Sequence, residues 1–333
     1  MRFIALLTAA AFASGVIAAE KETLLNVSYD VAREFYESYN PLFIQLYKEK
    51  TGRTIKVNQS HAGSTKQARA VIDGLEGDVV TMNQPTDVDA IAERGRGLVA
   101  KDWRTKFPHN ASPYTSTMAF MVRKGNPKGI KDWDDLVKPG ISVVVPNPKT
   151  SGNGRYCYLA AWAFASEKFN KDEKKIREFI SSLFRNVPIL DTGGRGATTT
   201  FAQRGIGDAL LTFEAEILTT VHETGAKFEI VYPSISVEAE MPIAIVERVV
   251  DRNGTRQLAT EYLNFLYSEP AQELIVKNFY RPRLESVAQR HAGKFGKLKL
   301  VKVDDFFGGW SDAQKMHFSA GGTFDRIFAA RRR

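Results

Sequence analysis

Cysteine is almost missing from this chain: Cys157 is the only one in 333 residues. A single thiol allows no internal disulfide, so packing alone must hold the fold. The five histidines, His61, His109, His222, His291 and His317, are scattered without metal-ligand spacing, and no metal or other cofactor is expected. Beyond the first 18 residues no segment approaches the ~20 uninterrupted apolar residues needed to cross a bilayer. No internal repeat and no low-complexity tract occurs. No basic stripe is interleaved with aromatics, which argues against nucleic acid as a partner. What remains is an ordinary apolar and charged composition, enough for one large or two medium α/β domains.

The chain carries an address at its start. Met1-Arg2 precedes the apolar run Phe3 to Ala18, and Val16-Ile17-Ala18 fits a small-residue cleavage site, with Ala19 as the alternative. Residues 1–19 therefore read as a secretory signal peptide. No cysteine stands at the cleavage point, so a lipid anchor is not expected. The mature chain is expected to be exported to a bacterial periplasm, as a soluble monomer. Removing Arg2 leaves 45 Lys+Arg against 38 Asp+Glu, a net charge of +7. That suits anionic ligands without selecting one.

One stretch organises the rest: Asn147-Pro148-Lys149-Thr150-Ser151-Gly152-Asn153-Gly154-Arg155-Tyr156. It follows the β-branched run Ile141 to Val145 and precedes an apolar, helix-forming segment from Tyr156 to Ala165. Strand, Gly-rich turn and helix together aim free backbone N–H groups at whatever sits above them. Ser151 is placed at the N-cap. The spacing fits neither a Walker loop nor a dinucleotide fingerprint, so an oxyanion site and a plain capped helix both stay open.

Taken in order, Leu24 to Asp30 reads as a strand and Val31 to Lys50 as a helix that Asn40-Pro41 breaks or kinks. Thr54 to Ser60 is a second strand, and Ser64-Thr65-Lys66-Gln67 a capping box that opens a helix to Gly74. Asp78 to Met82 and Asp87 to Arg94 add a strand and a helix. This alternation predicts a doubly wound parallel sheet. Ser112 to Val122 is a long extended run that leads into a second lobe, and the extended path from Phe228 to Val246 returns. The expected division is residues 20–113 and 242–333 for the first lobe and 114–241 for the second. Two such lobes joined by two extended crossings leave a ligand cleft outside the carboxyl ends of the strands.

Four strand-to-helix turns face that cleft: Tyr29-Asp30, His61 to Ser64, Thr150 to Asn153, and Thr192 to Arg195. Each offers roughly half a positive charge and unpaired donors. They could converge on one anion, or each could be an ordinary capped helix. Enzyme readings find less support. His61 near Ser60 and Ser64 lacks a nucleophile elbow. Glu214 and Glu216, two apart at a strand end, more readily flank a hinge or bind backbone groups than form a glycosidase pair. Asp30 and Asp87 read as caps, and Cys157 as a buried structural thiol.

At this point a resemblance becomes specific. Asn147 to Asn153, Gln59 to Ser64, Asp191 to Thr198, and Asn278 to Arg283 resemble the signature regions of the prokaryotic sulfate/thiosulfate-binding periplasmic proteins, over nearly the whole mature chain. The resemblance implies a type II periplasmic binding protein fold, no catalysis, and delivery of sulfate or thiosulfate to the permease subunits of an ABC importer. It implies main-chain donors at Asp30, Gly152, Asn153 and Gly194, and hydroxyl donors at Ser64 and Ser151. Arg195, beside the site, would act on the backbone of its loop. Phe213 stands where the sulfate-binding branch carries a tryptophan, and with Thr81 to Gln84 it resembles the thiosulfate-binding branch. The alternatives are a receptor for another tetrahedral oxyanion, such as molybdate or phosphate, and a periplasmic hydrolase or transferase on the same fold.

Overall fold

A computed structural model describes residues 22–330. The expected signal peptide lies outside the described residues. Strands β1 (Thr23–Tyr29), β2 (Lys56–Ala62) and β3 (Val79–Thr81) alternate with helices α1 (Arg33–Thr51), α2 (Ser64–Ile72) and α3 (Pro85–Arg94). β1 lies in the centre with β2 and β3 parallel to it on either side, as the alternation predicts. The edge strand β10 (Ile243–Ile245), part of the returning chain, joins β3 antiparallel.

The second sheet is larger and mixed. It is built on β4 (Tyr114–Arg123), β5 (Val143–Pro146), β6 (Leu190–Asp191), β7 (Ala209–Phe213), β8 (Phe228–Val231) and β9 (Ile235–Glu240). β5 runs parallel to β6 and β7, while β4 pairs antiparallel with β7, β8 and β9. Short strands β11 (Arg281–Pro282) and β12 (Lys299–Val301) complete it, on β4 and β9 respectively. β4 is thus shared: its first residues pair with β11 and β9, and its later ones with β7 and β8.

Three expectations need correction. α1 runs unbroken through Pro41. Pro41 is exposed, as is Glu37 four residues earlier, whose freed carbonyl can be hydrated, so the missing N–H costs little there. The buried face of α1 is aromatic, Phe35, Tyr36, Tyr39, Phe43 and Tyr47, and Asn40 beside them accepts from the Tyr262 hydroxyl at 2.8 Å. Second, Ser64 does not cap α2. Gly63 takes the non-helical turn, Ser64 is already helical, and Gln67 instead donates to the carbonyls of Ser28 and Ser60 at 3.1 and 2.6 Å. Third, residues after 298, expected in the first lobe, return to the second. β12 pairs with β9, and Phe318 and Phe324 pack edge-on against Tyr158 at 5.3 and 5.9 Å. Lys149 Nζ fastens the same segment, donating to Phe318 O at 2.8 Å and to Asp325 at 3.0 Å. The aromatic residues near the end had no buried partner in the sequence order; their partner is the helix Gly152–Lys168.

That helix is buried along nearly its whole length, from Gly152 to Ser166. Cys157 is buried within it, and burial pushes its thiol well above the ordinary range. No helix among the described residues is long and apolar enough to cross a membrane.

Candidate functional site

The four turns come together between the lobes. The helix Gly152–Lys168 starts at the carboxyl end of β5, and Ser151 is its N-cap, its hydroxyl accepting from Gly154 N at 3.4 Å. The helix Gly194–Thr198 starts beyond β6, and the Thr150 hydroxyl ties the two turns by donating to Thr192 O at 3.1 Å. From the first lobe, a methyl placed on Gly63 would stand 3.8 and 3.9 Å from the carbonyl oxygens of Thr150 and Thr192. A methyl on Gly194 would meet Val31 Cγ2 at 3.1 Å and Asn153 Nδ2 at 2.6 Å. The Arg195 amide lies 3.5 Å from Asp30 Oδ2. The lobes are therefore in contact around the turns, and Ser64, Ser151 and Asn153 are almost wholly shielded from solvent.

Asp30, Ser64 and Asn153 each have a hydrogen-bond partner, whereas Asn83 Oδ1, Gln84 Oε1 and Asp87 Oδ2 have none among the described residues. The Asp30 carboxylate accepts from Val31 N at 3.1 Å, but Asp30 is not the cap expected of it: Tyr29 takes the cap position and Asp30 opens the turn, where burial raises its pKa against the nearby amides. Ser64 Oγ accepts from Asn83 N at 3.2 Å, and its hydroxyl also interacts with the buried Asp87 carboxylate. The Asn153 amide donates to Thr212 Oγ1 at 2.8 Å, and its oxygen accepts from Cys157 Sγ at 3.5 Å. The side chain is spent inside the second lobe, and the main-chain N–H of the first helical turn is untouched by it. Phe213 closes β7 beside Thr212, fully buried, with its ring edge-to-face on Tyr156 at 5.9 Å.

Three cationic side chains next to the turns, Lys149, Arg155 and Arg195, are claimed by protein acceptors. Lys149 is held by the carboxyl-terminal segment. Arg155 donates through Nε to Pro148 O at 3.0 Å and through Nη1 to Thr86 Oγ1 at 3.2 Å, across the cleft. Arg195 corrects an expectation: its Nη2 donates not to loop backbone but to both oxygens of Glu34, at 2.9 and 2.7 Å. Glu34 lies on α1, so this pair also spans the lobes. Arg195 takes this partner because a guanidinium at the rim finds a carboxylate before a neutral carbonyl.

Glu214 and Glu216 are likewise reassigned. Both lie in the first turn of the helix Glu214–Glu223, not at a strand end, and point to different partners. Glu214 accepts from Arg281 Nε and Nη2 at 2.6 and 2.8 Å, linking that helix to β11. Glu216 lies 3.7 Å from Arg195 Nη2, and its Oε1 has no hydrogen-bond partner among the described residues. Burial pushes its carboxyl up to about 7, with Arg195 working against that rise. Asp87 sits buried in the first turn of α3, where burial raises its pKa and Arg155 opposes the rise. His61 faces Tyr29 O at 3.1 Å through Nδ1 and Gln59 Oε1 through Nε2, so neither ring nitrogen is directed at Ser60 or Ser64. Among the described residues no cluster of His, Cys, Asp and Glu is suited to hold a metal ion.

Sequence reading missed the fifth turn, Asn83-Gln84-Pro85, which packs on Gly152. Pro85 at the first helical position was its signal. It also missed Glu34 and Arg155, whose roles depend on the lobes meeting.

The arrangement brings helix starts from both lobes together in a buried region, and helix starts carry unpaired N–H groups. The sequence matches the family described as bacterial extracellular solute-binding protein over residues 31–281. It is 52% identical over 328 residues, 98% of each chain, to a protein of Pseudomonas aeruginosa named thiosulfate-binding protein. It is 53% identical over 305 residues, 91% of this chain and 92% of the other, to one of Escherichia coli named sulfate-binding protein. The fold matches the sulfate-binding protein SubI of Mycobacterium tuberculosis with a TM-score of 0.80 at 31% identity, covering 89% of this chain and 99% of that one.

Proposed function

Because this chain belongs to the bacterial extracellular solute-binding proteins, in the group of relatives named for sulfate and thiosulfate, we propose that it captures one of these two anions and carries it to an ABC importer. The carrying observation is the meeting of helix-start donors from both lobes while Lys149, Arg155 and Arg195 are all engaged by protein acceptors. The anion is held by the main-chain N–H groups of Asp30, Gly152, Asn153 and Gly194 and by the Ser64 and Ser151 hydroxyls. The protein works in the periplasm after loss of its signal peptide, as a monomer that presents its closed form to permease subunits. It performs no chemistry on its cargo.

Both sulfate and thiosulfate are fully deprotonated near neutral pH, so a donor-only site suits them. Hydrogen phosphate keeps a proton that such a site leaves unpaired, at a cost of ~1–3 kcal/mol. Relatives of both names stand at similar identity, so the preference rests on Phe213. A phenyl ring offers no donor and tolerates the larger, softer terminal sulfur of thiosulfate. The test is native mass spectrometry of freshly purified protein, followed by calorimetric titration with sulfate, thiosulfate, hydrogen phosphate and molybdate. Tight binding of the first two, weakened only modestly by sodium chloride, is expected. Preference for phosphate, or a steep loss of affinity with salt, would refute the site as drawn.

A further inference from the structure

Arg195 stands between two carboxylates that belong to different lobes. Glu34 comes from α1 in the first lobe, and Arg195 and Glu216 both come from the second. In the closed arrangement Nη2 takes both Glu34 oxygens at 2.9 and 2.7 Å and leaves Glu216 Oε2 at 3.7 Å. Glu216 is almost wholly buried, its side chain 1% exposed, and its Oε1 has no partner among the described residues. A buried carboxylate that stops short of a cation on its own lobe is costly. Parting the lobes removes Glu34 and leaves Glu216 as the carboxylate within reach.

We propose that Arg195 exchanges carboxylates as the lobes move, paired with Glu34 when closed and with Glu216 when open, so that Glu216 is a positioning residue that favours release of the anion. This rests on the reading of the cleft as an anion site that closes. The ionisable groups acting on Glu216 are Arg195, Asp30 and Glu34, and Glu216 in turn acts on Tyr280; the Thr198 hydroxyl also approaches it. Protonation of Glu216 weakens its hold on Arg195 and so favours the closed form. Closing takes up a proton, and binding should tighten as pH falls from 8 to 6, a range in which the charge of sulfate and thiosulfate stays constant.

The test compares wild type, Glu34→Gln and Glu216→Gln. Small-angle scattering without ligand at pH 8 should show Glu34→Gln more open and Glu216→Gln more closed than wild type. Stopped-flow release of sulfate and of thiosulfate should be faster in Glu34→Gln and slower in Glu216→Gln, by about two- to fivefold, the range of a partly exposed ion pair. The pH dependence should flatten in Glu216→Gln. Wild-type opening and release rates in Glu216→Gln would overturn the exchange. Should that variant not fold, unchanged release by Glu34→Gln, or wild-type binding that weakens on acidification, would overturn it equally. If wild type binds neither anion, the proposed cargo is wrong, while the ligand-free scattering still decides the exchange.

Discussion

Gly152 and Asn83 touch across the cleft so closely that no side chain fits between them. A methyl on Gly152 would lie 2.9 Å from Gln84 Cδ and closer still to Asn83 Oδ1. Gly152 opens a helix of the second lobe, and Asn83-Gln84 follows β3 of the first. The glycine is needed because the Asn83 and Gln84 side chains press on its backbone there, not because its dihedral angles demand it.

Gly152→Ala should therefore act on closing and not on folding. In the open form the methyl faces solvent, and alanine is a better helix former. In the closed form it overpacks at a cost of ~1–3 kcal/mol, about five- to 150-fold in affinity. Calorimetry should show weaker binding of sulfate and thiosulfate, with the melting temperature of the ligand-free protein unchanged. Unaltered affinity would mean the cleft does not close at this contact.

Ser151→Ala removes one hydroxyl with two jobs. Loss of the cap should lower stability by ~1 kcal/mol. Loss of a charge-assisted hydrogen bond to the anion should cost ~1.5–3 kcal/mol of binding. Chemical denaturation and titration measure the two separately. A folded variant that binds as well as wild type would exclude Ser151 from the site.

Phe213→Trp tests selectivity. The indole adds a donor that favours oxygen over sulfur, and its bulk crowds the larger thiosulfate at ~1–3 kcal/mol if the pocket does not relax. The thiosulfate-to-sulfate affinity ratio should fall in paired titrations, with folding checked by circular dichroism. A constant or rising ratio would remove Phe213 as the determinant.

Glu216 should leave a mark on stability against pH. Its carboxyl is raised from 4.5 to about 7 by burial, so the native state holds a proton the unfolded chain has released. This contribution is fully present below pH 4.5 and is lost as pH rises to about 7, with a limiting slope of ~1.4 kcal/mol per pH unit. Urea unfolding between pH 5 and 7.5 at saturating sulfate, which holds the closed form with Arg195 on Glu34, should show a shallower fall in Glu216→Gln. Parallel slopes in variant and wild type would show that the carboxyl titrates normally.

Much of this molecule was legible in its local chemistry. β-Branched runs gave the strands, and Ser151 followed by Gly152 and Gly154 marked a helix start whose burial then proved nearly complete. Less legible was anything settled by distant partners. Ser64 looked like a cap because the four-residue pattern fits one, yet Gly63 supplied the turn and Gln67 found carbonyls on neighbouring strands. Arg195 had no visible partner, since Glu34 lies 161 residues away and in the other lobe. The carboxyl-terminal segment was assigned by order along the chain, whereas its place was decided by Lys149, Tyr158 and β9.

That segment changes the mechanics of the hinge. The chain passes between the lobes along β4, returns through β9 and β10, and crosses again before β12. Three tethers resist twisting better than two and leave bending as the soft motion. They also put the beginning of β1 on one moving body and the helix Thr323–Ala330 on the other. A donor dye near residue 22 and an acceptor near residue 330 would thus ride on opposite jaws, and energy transfer between the chain's two ends would follow each capture and release without a label inside the cleft.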